Sequence, residues 1–154
     1  MAKHKTYRIH TDIERIESLW RKLSGSFSHE EWSAVIVQAA TVVEIAANLV
    51  IRKELQSGKK LDEAFVNQLV IWANGIVGKM DRLLLPLFTG KKQVAMLRRH
   101  KKIVEEINEK RNAITHRGKY CNKSEATIII NQARTVVESL VRIYLPKLTL
   151  KEKY

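Results

Sequence analysis

Cysteine, proline, glycine and aromatic residues are all scarce in this 154-residue chain, and each scarcity removes a class of structure. The single cysteine, Cys121, rules out an internal disulfide. With no Cys/His ligand spacing either, a zinc site is not expected, and nothing in the chain calls for a cofactor. Two prolines and six glycines leave room for long unbroken helices. No apolar run approaches the roughly 18 residues a membrane span needs. The opening Met1-Ala2-Lys3-His4-Lys5 lacks the apolar stretch of a secretory leader. A cytoplasmic protein that does not enter a membrane is therefore expected. Acidic residues are also short, 16 against 28 Lys and Arg, for a net charge of +12. That excess points to an anionic partner, nucleic acid before a membrane surface.

The length suits one domain with a real core. The fold class expected is all-α: an up-down antiparallel bundle of about five helices over residues 11–146, with loose basic termini at 1–10 and 147–154. The first helix starts at a Thr11–Glu14 capping box, carries Ile13, Ile16, Trp20 and Leu23, and stops near Ser24-Gly25. A second capping box, Ser28–Glu31, opens the most apolar helix, about 29–56. From Ala34 to Ile51 its only polar side chains are Gln38, Thr41, Glu44 and Asn48. They fall in one arc of about 120°, so this helix belongs in the middle of the bundle. Asp62 caps a third helix expected to run unbroken to about Leu84, with Pro86 closing it. A fourth spans Lys91 to Arg117. A fifth is capped by Ser124 and repeats apolar residues from Ala126 to Tyr144.

The chemistry concentrates in Arg111-Asn112-Ala113-Ile114-Thr115-His116. Cleavage of RNA without a metal uses the neighbouring 2′-hydroxyl as nucleophile. It needs a group that moves protons near neutral pH, which histidine does. It also needs cations and donors for the charge that grows on the phosphate. His116, Arg111 and Asn112 are the candidates. On a straight helix Arg111 and His116 stand about 140° apart, so a helix end, a distortion or a second chain must bring them together. Glu44, on the polar arc of the second helix, is the expected carboxylate partner of Arg111. From Lys91 to Lys123 eleven Lys or Arg face three Glu. Arg98, Arg99, Lys101, Lys102, Lys110, Arg117 and Lys119 form the expected RNA footprint there. Tyr120 is the one aromatic residue in that stretch, so base stacking is not expected from it. His100 reads as a surface histidine. Trp20, Trp32 and Trp72 read as core or interface residues. A plainer account of the motif is also open: cations in a last helical turn oppose the helix dipole, and Gly118 is a helix stop.

The hexapeptide resembles the R-x-x-x-x-H motif of HEPN-domain proteins, including the Asn that often follows the Arg. The layout over residues 11–146 is similar too: an early apolar helix with an acidic residue (Glu44), the motif on a later helix, and one more helix after it. The resemblance implies a dimeric helical bundle whose two motifs line one cleft. It further implies metal-independent endoribonuclease activity, as a toxin or antiviral defence effector, with Arg111 and His116 catalytic and Asn112 supporting. A cognate antitoxin or regulatory protein is a partner the resemblance allows. One toxin branch carries Tyr two residues after the His, where this chain has Gly118. Some members of the family are inactive, so a catalytically inert helical module that binds RNA or a partner protein is the alternative.

Overall fold

The computed structural model describes residues 7–151, and every regular element among them is helical. The order is α1 His10–Ser28, α2 Trp32–Arg52, α3 Glu63–Trp72, α4 Gly75–Lys79, α5 Leu85–Leu87, α6 Lys91–Arg117 and α7 Lys123–Val141. Wider π-helical turns extend α2 over Lys53–Gly58 and join α4 to α5 over Met80–Leu84. This is the all-α bundle expected from the periodicity.

α2 is its centre, packed against α1, α7, α6 and α4. The reason lies in its composition. Val35, Ile36, Val43 and Val50 bury almost completely, and Ala39, Ala46 and Ala47 let neighbouring helices approach closely. By length and composition alone, Trp32–Gly58 could cross a membrane, contrary to the expectation that no stretch is long and apolar enough. In the bundle those apolar residues are covered by other helices instead. α1 and α2 are antiparallel across the short connection His29–Glu31, with the Ser57 hydroxyl reaching back to the Tyr7 carbonyl. α6 and α7 are antiparallel as well: Lys110 meets Glu125, and Gln132 meets Glu106. The Tyr144 hydroxyl donates to Glu54 at 2.7 Å, tying the C-terminal ends of α2 and α7 together.

Several helix boundaries differ from the sequence reading, each for a local reason. Neither capping box forms. α1 starts at His10 with no side-chain cap, and runs through Gly25 to Ser28, whose hydroxyl bonds the Ser24 carbonyl. α2 starts after Glu30, a residue with positive φ, also without a side-chain cap. Asp62 does cap α3, accepting from the Ala64 amide at 3.1 Å. Asn122, rather than Ser124, caps α7. Pro86 does not close the preceding segment but lies in the first turn of α5, where its missing N–H costs little. At the end of the chain, Leu150 is 4% exposed and its amide donates to Glu138, so the stretch expected to be loose folds back on the core. The outermost residues of both expected loose termini, 1–6 and 152–154, lie outside the described residues.

The largest departure is the third helix, which is broken rather than continuous. Asn74 and Gly75 take positive φ (50° and 84°), turning the chain between α3 and α4. After that turn Gly78 is pressed against the Ala73 backbone so closely that a methyl group there would overlap the Ala73 carbonyl oxygen. Gly78→Ala should therefore destabilise the protein by about 2 kcal/mol, in the range for overpacking against atoms that cannot move aside. Thermal unfolding checks this, and Gly25→Ala, at a site with open space, is the control that should cost nothing or stabilise.

Candidate active site

The sequence makes α6 one regular helix by placing Leu97, Val104 and Ile107 on its buried stripe and Gly118 just past its end. Gly118 adopts the left-handed conformation (φ 63°), and the Lys119 amide closes on the Ala113 carbonyl at 3.0 Å. α-Helix thus persists through Arg117, and Arg111 and His116 keep their angular separation of about 140°. The motif does not converge within one chain.

Arg111 turns inward and is about a quarter exposed. Its guanidinium donates to Asn108 Oδ1 at 3.0 Å and lies 3.8 Å from Glu44 Oε2, close enough for an ion pair but beyond a hydrogen bond. The hydrogen bond to Glu44 comes instead from Lys79 of α4, whose ammonium is 2.6 Å from Oε1. Lys79 is 5% exposed, so two cations share one carboxylate where α2, α4 and α6 meet. Burial would be costly for an unpaired ammonium, and the short contact with Glu44 compensates it. The sequence reading missed Lys79 and Asn108. Both had a signal: Lys79 is a lone cation between Ile76 and Met80, and Asn108 is one turn before Arg111.

The His116 side chain is exposed and makes no hydrogen bond or ion pair among the described residues. Asn112 is half-buried. Thr115 bonds back to the Arg111 carbonyl, and Arg117 pairs with Glu109 at 2.7 Å.

The expected RNA footprint divides in two. Lys101 holds Asp81 at 2.8 Å, and Lys110 and Lys119 share Glu125 at 3.1 and 3.7 Å. The hydrogen bonds to Asp81 and Glu125 raise the pKa values of Lys101 and Lys110. With Arg117, these four cations are already matched by carboxylates. Arg98, Arg99 and Lys102 are exposed and have no ion pair among the described residues, so they are the cations left for an external phosphate. Among the same residues, no group of three or more His, Cys, Asp or Glu could hold a metal ion.

His100 is not on the surface. It is 6% exposed on the inner stripe of α6, and neither ring nitrogen has a hydrogen-bond partner. Burial, then the Arg99 charge, lowers its pKa below 6.5. Below pH 6.5 the unfolded chain takes up a proton at this position that the folded chain refuses, so stability falls with pH until the lowered folded value is reached. Unfolding midpoints measured between pH 7 and 5 should decline, and less steeply in His100→Leu. An unchanged slope in that variant would show that His100 is not the group responsible.

Trp20 is buried and Trp32 packs edge-on against Phe27, but Trp72 is 58% exposed and so is not a core residue. Comparison with family models, curated proteins and solved structures finds no match for this chain.

Proposed function

We propose that this protein is a metal-independent endoribonuclease of the HEPN type, a homodimer that acts in the cytoplasm as a toxin or defence effector. The observation that carries this reading is the contrast within the motif. Arg111 is held by Glu44 and Asn108 beside Lys79, whereas His116, one and a half turns on, is exposed and uncommitted. A fixed guanidinium is what charge stabilisation requires, and a free imidazole is what proton transfer requires. Because one chain keeps them on different faces, the working site pairs Arg111 of one protomer with His116 of the other. In that site His116 takes the proton from the ribose 2′-hydroxyl as its oxygen attacks phosphorus, and the P–O5′ bond breaks as the 5′-oxygen leaves with a proton from water, to which the imidazolium then returns its own. Arg111, supported by Asn112, offsets the charge on the phosphate oxygens.

A second reading is an inert helical module that binds RNA or a partner protein such as an antitoxin. It is favoured by the sharing of Arg111 with Glu44 and Asn108, and by Gly118 acting as an ordinary helix stop. The two separate in one assay. Purified protein should cleave single-stranded RNA in the presence of EDTA and leave 2′,3′-cyclic phosphate ends. Binding without cleavage supports the second reading, and cleavage that stops on chelation rejects the metal-free mechanism.

A further inference from the structure

α3 has two unlike faces. Val66, Val70 and Ala73 point inward and are buried, while Phe65 and Trp72, seven residues apart on the outer face, are 53% and 58% exposed. The neighbouring Ile71 is 70% exposed. Because the chain turns at Asn74-Gly75, Arg82 returns over the end of α3. Its guanidinium sits 5.2 Å from the centre of the Trp72 ring and donates to the Trp72 carbonyl at 3.4 Å. No carboxylate among the described residues pairs with Arg82, so the ring and the charge are held together, exposed and uncompensated. The adjacent Asp81 is bound to Lys101 of α6. That link ties the segment carrying Arg82 to α6.

An apolar partner laid over this face would strip water from an unpaired guanidinium, at considerable cost. A nucleotide has no such conflict. Its base stacks on the indole, and its phosphate meets the guanidinium. We infer that the outer face of α3, with Arg82, is a stacking platform for single-stranded RNA, taking a base on Trp72 and the flanking phosphate on Arg82. The inference rests on the ribonuclease reading for its choice of RNA, and it adds base contacts that the motif itself lacks. The hydrogen bond that holds Arg82 against Trp72 orders the platform before RNA arrives, which limits the entropy lost on binding.

The test uses the full chain and a fluorescent 12-residue 2′-O-methyl RNA, which presents bases and phosphates but has no 2′-hydroxyl to attack. Inorganic polyphosphate serves as a polyanion without bases. Trp72→Leu should weaken binding of the methylated RNA about tenfold, the effect of losing one base stack. Its polyphosphate binding should be unchanged. Trp72→Phe keeps a ring and should stay within about threefold of the parent. Since Trp72 is mostly exposed, both variants should give the parent circular dichroism spectrum and melting curve. Equal RNA affinity in Trp72→Leu and the parent overturns the inference. So does an equal loss toward both polymers, or unaltered RNA binding with altered self-association, which would assign the face to a protein contact. Binding that depends on Trp72 without any cleavage of ordinary RNA would sink the nuclease reading and leave the platform standing. Cleavage indifferent to Trp72, together with unaltered binding, would do the reverse.

Discussion

Substituting His116 by Ala is expected to lower RNA cleavage by about 10²- to 10⁴-fold, the usual contribution of a positioned proton-transfer group. The same change should leave the fold alone. His116 is exposed and makes no side-chain hydrogen bond or ion pair among the described residues, and surface changes of that kind stay within about 0.5 kcal/mol. The prediction therefore pairs a large kinetic effect with an unchanged melting temperature, which a merely structural role would not produce. Cleavage at the parent rate would remove His116 from the mechanism. Subunit mixing takes the test further. His116→Ala and Arg111→Gln protomers, each inactive alone, should regain activity when allowed to exchange. Random pairing makes half the dimers mixed, each with one site holding both groups, so about a quarter of the parent rate should return. No recovery, in subunits shown to exchange, would count against a site shared between two chains.

Glu44→Ala should produce the largest loss of stability. It leaves the Lys79 ammonium, 5% exposed, without the carboxylate it contacts at 2.6 Å, and removes the ion pair of Arg111. Breaking a buried pair from one side costs about 3–5 kcal/mol, and the lower end applies because Glu44 itself is 28% exposed. For a chain of this length about 3 kcal/mol corresponds to a fall in Tm of roughly 6–12 °C. Adding Lys79→Met removes the stranded charge and should recover part of that loss, since an apolar replacement for a buried pair is often close to neutral. Cleavage should not return with it, because Arg111 would still lack its carboxylate partner. A Glu44→Ala protein that melts within a degree of the parent would show that the Lys79 contact contributes little.

Much of this follows from the order of the residues alone. The all-α class is one such feature, because apolar residues recur at helical spacing with few glycines or prolines to interrupt them. The central place of α2 is another, because a helix apolar over most of its circumference has to be surrounded. The bounds of α6, Lys91 to Arg117, are legible as well, since Gly118 tolerates the left-handed conformation that ends it. The angle between Arg111 and His116 comes from helix geometry and needs no structure.

What remained depended on contacts between residues far apart in the chain. The capping boxes at Thr11 and Ser28 satisfy a local pattern, but α1 begins at His10 and α2 at Trp32, neither with a side-chain cap. The charged lattice was hidden for the same reason: composition counts cations, and only folding shows that Asp81, Glu109 and Glu125 have already engaged four of the seven assigned to RNA. Likewise, no local rule places His100 indoors or brings Lys79 to Glu44, 35 residues away. The break at Asn74-Gly75 is the clearest case. In one straight helix Trp72 and Arg82 would stand about 15 Å apart along the axis and could not touch. The turn brings the guanidinium over the indole, and that pairing exists only in the tertiary structure, because it requires the chain to reverse course against a core that the local sequence does not contain.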